Sequence, residues 1–486
     1  MPLLWGRNAG QRSEDWQKEL EGKNGEVNEY EASSPCEVVT VETVGLGDRS
    51  YVVHDGAVAV VVDPQRDIDR FLELVDELGV QVTHVLETHL HNDYVTGGHA
   101  LAEEVGAGYV VPAGDDVAFS RVPVVDGQQI TTGRLGIVAR HTPGHTPHHM
   151  SYVVRAGGEP LAVLTGGSML YGAVGRTDLI GKEMTEELTR AQYRSVRCLA
   201  EELPGHVSVY PTHGFGSFCS ATETSGDQST IAEERTRNVA LLIDDEEHFV
   251  DQLISGLTAY PRYYVHMAPR NAAGPSAPDL SNPDPVDGEV LRERVAAGEW
   301  VVDLRERRAF ARGHLAGTVS IELGDTFSTY FGWTLPCQAP VTLIGDHPDQ
   351  ICQARRQLVR IGVDELFGAA VGSIETLAGG RTASYEVAKF EQLSSVFGTP
   401  GHVLLDVRRR DEWEVGHLSG ALHIPFWELA DRVDEIPVGK IWVHCASGFR
   451  ASIAASIVDR AGYPCVFVDD DWGRAAELGI PVESGH

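Results

Sequence analysis

The second half of the chain contains two copies of one sequence pattern, and this internal repeat constrains the fold more than any other feature. The pairs, all at one constant offset of about 100 residues, are Asp303 with Asp406, Arg305 with Arg408, Phe310 with Trp413, the run 313–317 with 416–420, and Ile321 with Ile424. In each copy an apolar strand precedes the Asp-x-Arg, a second strand runs into a loop, and a helix follows. The repeat predicts two α/β units, at residues 288–385 and 386–486.

The rest of the chain divides at one linker. Its 486 residues are about three times the ~150 residues of a typical domain, so several cores are expected. Residues 269–287 are rich in Pro, Gly, Ser and Asp, a composition that predicts a linker without helix or strand. Residues 1–35 are charged and show little apolar periodicity, which predicts an N-terminal extension. Residues 36–268 remain as a further domain.

Charge and composition exclude several classes of partner. Because 39 Lys and Arg face 71 Asp and Glu, the net charge is −32, which repels the phosphate backbone of nucleic acids. The longest apolar run, residues 57–62, is too short to span a membrane, and the start of the chain lacks the apolar core of a signal peptide. The seven cysteines show no paired spacing, as expected of thiols in a reducing compartment. We expect a cytoplasmic protein that binds neither nucleic acid nor membrane.

A cysteine in the second copy lies at a chemically distinctive position. Cys445 follows an apolar strand, and the loop Cys-Ala-Ser-Gly-Phe-Arg then enters a helix. Backbone N–H groups at a helix N-terminus stabilise a thiolate and attract an anionic substrate. Arg450 closes the loop and can form a forked contact with a sulfonate, a persulfide or an oxyanion. The sequence therefore predicts a reactive thiol.

The combination of Asp-x-Arg, Gly-His-x-x-Gly and Cys-x-x-Gly-x-Arg resembles the rhodanese domain. The resemblance implies that Cys445 is the catalytic residue, which carries a sulfane sulfur as a persulfide. The residues that would bind the substrate around it are Ala446, Ser447, Gly448, Phe449 and Arg450. Cysteine phosphatases enclose a larger loop between the cysteine and the arginine, so a phosphate fits this loop less well.

The first copy departs from this pattern. Its aligned loop is Gly345-Asp-His-Pro-Asp-Gln350, so the thiol and the arginine are both replaced, and Cys352 falls a helical turn too late. We therefore predict an inactive copy that serves as a scaffold or an interface.

Four histidines of the first domain fall in three short loops. Residues 88–94, Thr-His-Leu-His-Asn-Asp-Tyr, follow a predicted strand, and two later histidines each lie in a turn with Gly and Pro. Neutral imidazoles supplied by different loops are typical of sites for borderline-soft metals. The candidate metal ligands are His89, His91, His145, Asp93 and His213.

These segments resemble the metallo-β-lactamase fold, an αββα-layered domain, and the runs 175–178 and 211–219 look like its sulfur-handling branch. Followed by two α/β rhodanese-like domains, this domain makes the chain similar to the fusions seen in bacterial persulfide dioxygenase–sulfurtransferases, from about residue 36 to the end. The resemblance implies one metal ion, Fe(II) ahead of Zn(II), and oxidation of a persulfide by O₂ to sulfite. It also makes Arg176 a candidate for binding an anionic thiol carrier, with a surface ion pair as the alternative.

Two positions differ from that family. Its His-x-His-x-Asp-His ends here in Tyr94, and its Thr-Gly-Asp, which supplies a carboxylate ligand, ends here in Gly167. A second metal would keep only Asp93 and His213, so two metals are not expected. The imidazoles of His89, His91 and His145 would leave open positions for water, O₂ or a thiolate.

The functional prediction is sulfane-sulfur metabolism, with oxidation of a low-molecular-weight persulfide coupled to sulfur transfer through a Cys445 persulfide. The expected partners are a small thiol persulfide or thiosulfate, and the sequence also allows a homo-oligomer. One alternative is a sulfurtransferase or non-catalytic sulfur carrier with a degenerate, scaffold-only first domain. Another is a zinc thioester hydrolase that does not need Cys445.

Overall fold

The computed structural model describes residues 36–222, 224, 226–336 and 339–485, so the predicted extension, 1–35, lies outside the described residues. The first domain contains two six-stranded sheets, with strand orders β1-β2-β3-β4-β5-β6 and β12-β11-β10-β9-β8-β7. The strands are β1 Glu37–Thr43, β2 Asp48–His54, β3 Val58–Val62, β4 Gln81–Leu86, β5 Gly108–Pro112, β6 Val122–Val124, β7 Gln129–Thr132, β8 Leu135–His141, β9 Met150–Ala156, β10 Glu159–Gly166, β11 Ser208–Pro211 and β12 Ser229–Thr230.

Helices cover the outer face of each sheet in the first domain. They are Asp69–Leu78, Gly98–Val105, Thr185–Glu202, Ile231–Arg237, Val239–Leu242 and Glu246–Gly256. Val53, Val60 and Val62 of the first sheet pack against Ile137 and Tyr152 of the second in one buried core. Because successive side chains of a strand point to opposite faces, Val60 and Val62 face the second sheet, whereas Val61 packs against Phe71 of an outer helix. The predicted αββα arrangement is confirmed.

Two α/β units follow, and their parallel sheets share one strand order. The first sheet is β15-β13-β16-β17, and the second is β22-β20-β23-β24 with β19 added at its edge. The strands are β13 Trp300–Asp303, β14 His314–Leu315, β15 Val319–Ser320, β16 Val341–Gly345, β17 Gly368–Val371, β18 Thr382–Ala383, β19 Glu386–Ala388, β20 His402–Asp406, β21 His417–Leu418, β22 Leu422–His423, β23 Lys440–His444, β24 Cys465–Val468 and β25 Val482–Glu483. The helices are Gly288–Ala296, Arg307–Arg312, Phe327–Thr334, Pro348–Arg360, Ile374–Leu377, Phe390–Val396, Arg410–Val415, Leu429–Arg432, Phe449–Arg460 and Gly473–Glu477. The topology therefore repeats with the sequence.

The repeated Asp-x-Arg forms the same buried ion pair in both units. Arg305 Nη2 lies 2.7 Å from Asp303 Oδ2, and the equivalent distance between Arg408 and Asp406 is 2.6 Å. The second arginine also donates to the carbonyl of Gly416 at 2.7 Å and stacks on the ring of Trp472. Because the carboxylate ends a buried strand, the pair fixes the turn that follows it.

The predicted linker is wrong at its beginning. A 3₁₀ helix, Arg262–His266, leads into an α-helix, Met267–Ala273, which occupies the first part of residues 269–287. Pro269 is the third residue of this helix, within the first turn, where backbone N–H groups have no intrahelical acceptor, so its missing N–H costs nothing there. After Gly274 the described chain has no helix or strand as far as residue 287, apart from a bridge between Pro285 and Ala369.

The first α/β unit contacts both of its neighbours. Arg360 and Arg356, on its helix Pro348–Arg360, lie 2.6 Å from Asp67 and Asp69 of the first domain. On the other side His314 Nε2 lies 3.0 Å from Asp459 of the second unit. The first α/β unit therefore contacts the first domain on one side and the second unit on the other.

Among the described residues, no helix combines the length and apolar character needed to cross a bilayer.

Candidate functional site

The thiol of Cys445 lies in a cradle of backbone N–H groups. β23 ends at His444, and the chain turns through Gly448 into the helix Phe449–Arg460. The buried Sγ accepts hydrogen bonds from the N–H of Gly448 at 3.2 Å and of Ala451 at 3.3 Å. Because both donors belong to the first turn of a helix, their dipoles stabilise negative charge on the sulfur. The predicted setting of this thiol is present.

Gly448 is required by the turn. Its φ is +91°, and a Cβ on it would lie 2.2 Å from Asp469 Oδ1. Asp469 in turn contacts Arg307 and Arg308 of the first α/β unit, the former at 3.1 Å. The cradle is therefore braced by the neighbouring unit.

The other predicted substrate-binding residues have different surroundings. The Ala446 carbonyl accepts a hydrogen bond from the Trp472 N–H at 2.8 Å. Ser447 is exposed, and the ring of Phe449 lies 4.8 Å from that of Tyr330 in the first unit.

The guanidinium of Arg450 is already paired with a carboxylate. Arg450 Nη2 donates to Glu412 Oε1 at 2.8 Å, and Nη1 donates to the other carboxylate oxygen. Burial lowers the pKa of Arg450, but Glu412 outweighs that effect and raises it. An anionic substrate must therefore compete with Glu412 for this arginine.

The corresponding loop of the first unit is filled by a side chain. Gln350 Oε1 accepts from the N–H groups of Asp346 at 2.6 Å and His347 at 3.3 Å. The amide oxygen thus uses loop N–H groups, while the exposed Cys352 donates to Asn282. This arrangement agrees with an inactive copy.

The predicted metal ligands form a buried cluster in the first domain. Ring centroids lie 4.1 Å apart for His89 and His91, 4.8 Å for His89 and His145, and 5.2 Å for His145 and His213. These residues come from the loops after β4, β8 and β11, which all end at one edge of the sandwich. The fold therefore brings together imidazoles that are far apart in sequence.

Three of the imidazoles are oriented through Nδ1. His89 Nδ1 lies 2.8 Å from Thr88 Oγ1, whose hydroxyl donates to Asp63. His145 Nδ1 donates to the Arg176 carbonyl at 2.8 Å. His213 Nδ1 lies 2.9 Å from Asp48. These oxygen acceptors assign a proton to each Nδ1, so Nε2 is the ring nitrogen that remains for a metal. Metal-binding histidines are typically held in this way.

His91 is held differently. Its Nε2 lies 3.2 Å from both Asp63 and Glu87 and 2.9 Å from the hydroxyl of Tyr94, whose ring stacks on the imidazole. Burial lowers the pKa of His91, but the two carboxylates outweigh it and raise the pKa to about 9. Only the buried Nδ1, which has no hydrogen-bond partner, remains for a metal, and it must first lose its proton.

Asp93 contacts His213 rather than the centre of the cluster. Its Oδ2 lies 3.1 Å from His213 Nδ1, on the same ring atom that contacts Asp48. Burial lowers the pKa of His213, but Asp93 and Asp48 raise it to about 10. His213 Nε2 lies 3.3 Å from His89 Nε2, so a proton or a cation must lie between two nitrogens that would otherwise repel.

His145 fills the space beside Gly167. A Cβ at Gly167 would lie 2.2 Å from His145 Cδ2, and the Gly167 N–H donates to His149 Nε2 at 3.0 Å. Burial and His213 lower the pKa of His145 to about 3, and its Nε2 is buried without a hydrogen-bond partner. The residues present therefore fit one metal ion held by imidazole nitrogens, and they do not fit a ligand set that needs a carboxylate at position 167.

The guanidinium of Arg176 is buried rather than at the surface. It contacts both oxygens of Asp178, at 2.7 and 2.8 Å, and donates to the carbonyls of Phe218 and Thr258. It also borders a cavity of about 620 Å³ that includes Arg409 of the second unit. These contacts indicate a structural role, and binding of a thiol carrier stays a prediction.

Several residues of the cluster were missed by the sequence analysis. Cys219 and His149 are buried beside the predicted ligands, and Asn271 donates to the carbonyls of His91 and Tyr94 at 2.9 and 2.8 Å. His149 lies in the same loop as the predicted ligand His145, so a signal existed. The position of Asn271 had none, because it lies in the segment predicted to be a linker.

Comparisons with known proteins agree with this geometry. A family profile described as Metallo-beta-lactamase superfamily matches residues 45–159, and one described as Rhodanese-like domain matches residues 389–472. The chain is 30% identical over 203 residues to Persulfide dioxygenase ETHE1, mitochondrial, of Homo sapiens, over 42% of this chain and 72% of that protein. It is 25% identical to Probable polyketide biosynthesis zinc-dependent hydrolase BaeB of Bacillus velezensis, over 41% and 84%. A crystal structure of a metallo-beta-lactamase from Staphylococcus aureus subsp. aureus COL has a TM-score of 0.63 and 26% identity, and the match covers 70% of this chain and 100% of that one.

Proposed function

This chain belongs to the persulfide dioxygenase family of the metallo-β-lactamase superfamily and carries a rhodanese-like domain, and we propose that it oxidises a low-molecular-weight persulfide and transfers sulfur through a Cys445 persulfide. The observation that carries the sulfur-transfer part is the pair of N–H groups, from Gly448 and Ala451, that face Sγ. They stabilise the charge of a thiolate before attack and of a persulfide after it.

The transfer proceeds in two displacements. The Cys445 thiolate attacks the outer sulfur of thiosulfate, so that a sulfur–sulfur bond forms on the enzyme and sulfite leaves with the electron pair of the broken bond. A nucleophile, cyanide in the usual assay, then takes the outer sulfur as thiocyanate and regenerates the thiolate. Arg450 binds the anionic donor when its guanidinium separates from Glu412.

The histidine cluster supports the oxidative part. A bound metal ion would supply O₂ and thiolate binding at one centre. The chain's own contribution is orientation: Thr88, Arg176 and Asp48 hold the Nδ1 protons of His89, His145 and His213 and so present three Nε2 atoms. In the net reaction a persulfide, O₂ and water give a thiol, sulfite and two protons, and the outer sulfur is oxidised while O₂ is reduced.

One buried core joins the two sites. Cys219 and Tyr94 beside the histidines share a hydrophobic cluster with Trp333 of the first unit and with Cys445. Trp333 lies 5.5 Å from Phe218 and 4.5 Å from Trp427, ring centroid to centroid. Such a fusion would keep a reactive sulfur intermediate at high local concentration.

A second candidate function is sulfur transfer with a first domain that serves only as a scaffold. Gly167 favours it, because the family's carboxylate ligand is absent and the ring of His145 occupies its space. Zinc-dependent thioester hydrolysis is the third candidate, supported by the similarity to the Bacillus velezensis hydrolase.

The first experiment tests Cys445. Cys445→Ser should abolish sulfur transfer from thiosulfate to cyanide, whereas Cys352→Ser, which removes an exposed thiol of the first unit, should retain it. Retained turnover in Cys445→Ser contradicts the assignment.

A second experiment separates the three candidate functions of the first domain by metal analysis, followed by measurement of O₂ uptake with glutathione persulfide. Iron with O₂ uptake supports the dioxygenase, and zinc without uptake supports the hydrolase. The absence of both metal and uptake supports the scaffold.

A further inference from the structure

We propose that Cys219 is a metal ligand of this chain, and that its thiolate, together with the imidazoles of His145 and His213, holds the ion in place of the carboxylate that Gly167 lacks. The inference rests on the proposed function only in assuming that the first domain binds metal. It assigns to Cys219 a role that its sequence position alone does not suggest.

The distances allow this ligand set. Cys219 Sγ and one ring nitrogen each from His145 and His213 all lie within 4.8 Å of one another, and all three residues are buried. An ion bonded to sulfur at ~2.3 Å and to nitrogen at ~2.0 Å in tetrahedral geometry places its ligand atoms ~3.5 Å apart. Side-chain shifts of about 1 Å therefore close the three atoms around an ion.

His145 supplies an independent observation. Its Nε2 is buried and has no hydrogen-bond partner, although its Nδ1 is fixed by the Arg176 carbonyl. Buried nitrogens in proteins are almost always paired with a donor or a cation. Since Nδ1 holds the ring proton, Nε2 presents a lone pair, and a cation between it and the neighbouring thiolate satisfies both groups.

One backbone residue fixes the positions of both ligands. The Arg176 N–H donates to the Cys219 carbonyl at 2.8 Å, and the Arg176 carbonyl accepts from His145 Nδ1 at 2.8 Å. The Cys219 N–H also donates to Ser217 Oγ at 3.2 Å. Outer contacts of this kind orient the ligands of a metal and are needed for tight binding. The backbone of Arg176 thus positions both ligands.

The chemistry of the donors also predicts the class of metal. A thiolate with two imidazoles is a softer set than two imidazoles with a carboxylate, so it favours Zn²⁺, Fe²⁺ or Co²⁺ over Mg²⁺ and Ca²⁺. On binding, the metal–sulfur bond replaces the S–H bond, and the proton passes to the carboxylate of Asp93 beside the thiol.

The test uses the full chain, stripped by a chelator and titrated with Co²⁺ without oxygen. The wild type should bind one Co²⁺ with the near-ultraviolet charge-transfer band of a cobalt–thiolate bond, and the zinc-loaded form should show one sulfur at ~2.3 Å by X-ray absorption. Cys219→Ser should lose the band and bind Co²⁺ at least about 10-fold more weakly. The matched control, Cys198→Ser, removes an exposed thiol from the same domain and should retain both.

Metal binding by the wild type without the band or the sulfur shell overturns the inference and leaves the proposed function standing. The same holds if Cys219→Ser keeps the band. If no metal binds at all, both the inference and the oxidative part of the proposed function are overturned. Sulfur transfer by Cys445 is tested independently by the Cys445→Ser variant. If Cys219→Ser does not fold, the X-ray absorption of the wild type decides alone.

Discussion

Replacing Gly448 by alanine tests whether the turn at this residue holds the thiol cradle together. The added methyl group would lie 2.2 Å from Asp469 Oδ1 and 3.2 Å from Asp469 Cα, and the backbone φ of +91° is unfavourable for any residue with a Cβ. Gly462→Ala is the matched control, because Gly462 has φ +85° and no atom within 4 Å of the new Cβ. Both variants place a Cβ on a backbone with positive φ, but only in Gly448→Ala does that Cβ also clash with a neighbouring residue.

The expected cost follows from these contacts. The left-handed backbone costs about 1 kcal/mol in either variant. In Gly448→Ala the Asp469 carboxylate must also move away from Arg307 and Arg308, whose side chains are 26% and 54% exposed. Partly exposed ion pairs of this kind contribute at most about 1 kcal/mol each. We expect about 3 kcal/mol of destabilisation for Gly448→Ala and about 1 kcal/mol for Gly462→Ala.

The activity should fall with the stability. Movement of the turn takes the Gly448 N–H away from Cys445 Sγ, and loss of one such donor typically slows a reaction by about 100-fold. Urea denaturation gives the free energies of unfolding, and the thiosulfate and cyanide assay gives the rate. Equal destabilisation of the two variants, or normal sulfur transfer by Gly448→Ala, would refute this account of the cradle.

Two further predictions concern titratable groups near the thiol. Glu412→Gln should lower the KM for thiosulfate about 3-fold or more, since the freed Arg450 can bind the donor, while exposed Glu414→Gln should leave KM unchanged; a higher KM in Glu412→Gln contradicts the prediction. Burial lowers the pKa of His444 to about 4, so this histidine binds its proton more weakly when folded, and the free energy of unfolding should fall by up to about 3 kcal/mol as the pH drops from about 6.5 to 4. His444→Leu should flatten that slope in denaturation experiments across this pH range, and an unchanged slope would assign the pH dependence to other groups.

Much of the fold was predictable because its signals are local. The repeat of Asp303 and Arg305 at Asp406 and Arg408 implied two units of one topology, and the sheets share one strand order. The Cys445 cradle was predictable for the same reason: a strand, a short loop with Gly448 and a helix are adjacent in sequence, and their backbone geometry follows from that order. The histidine loops also follow strands, which end at a common edge of the layered fold.

The partners of these groups were decided by packing between distant segments. Nothing in the local sequence places Glu412 on Arg450, Asn271 against the His91 loop, or Cys219 beside His145. The absence of a side chain at Gly167 was visible, but only the folded chain shows that the ring of His145 takes up its space. Backbone conformation is encoded over a few neighbouring residues, whereas the identity of a buried contact depends on how whole layers fit together.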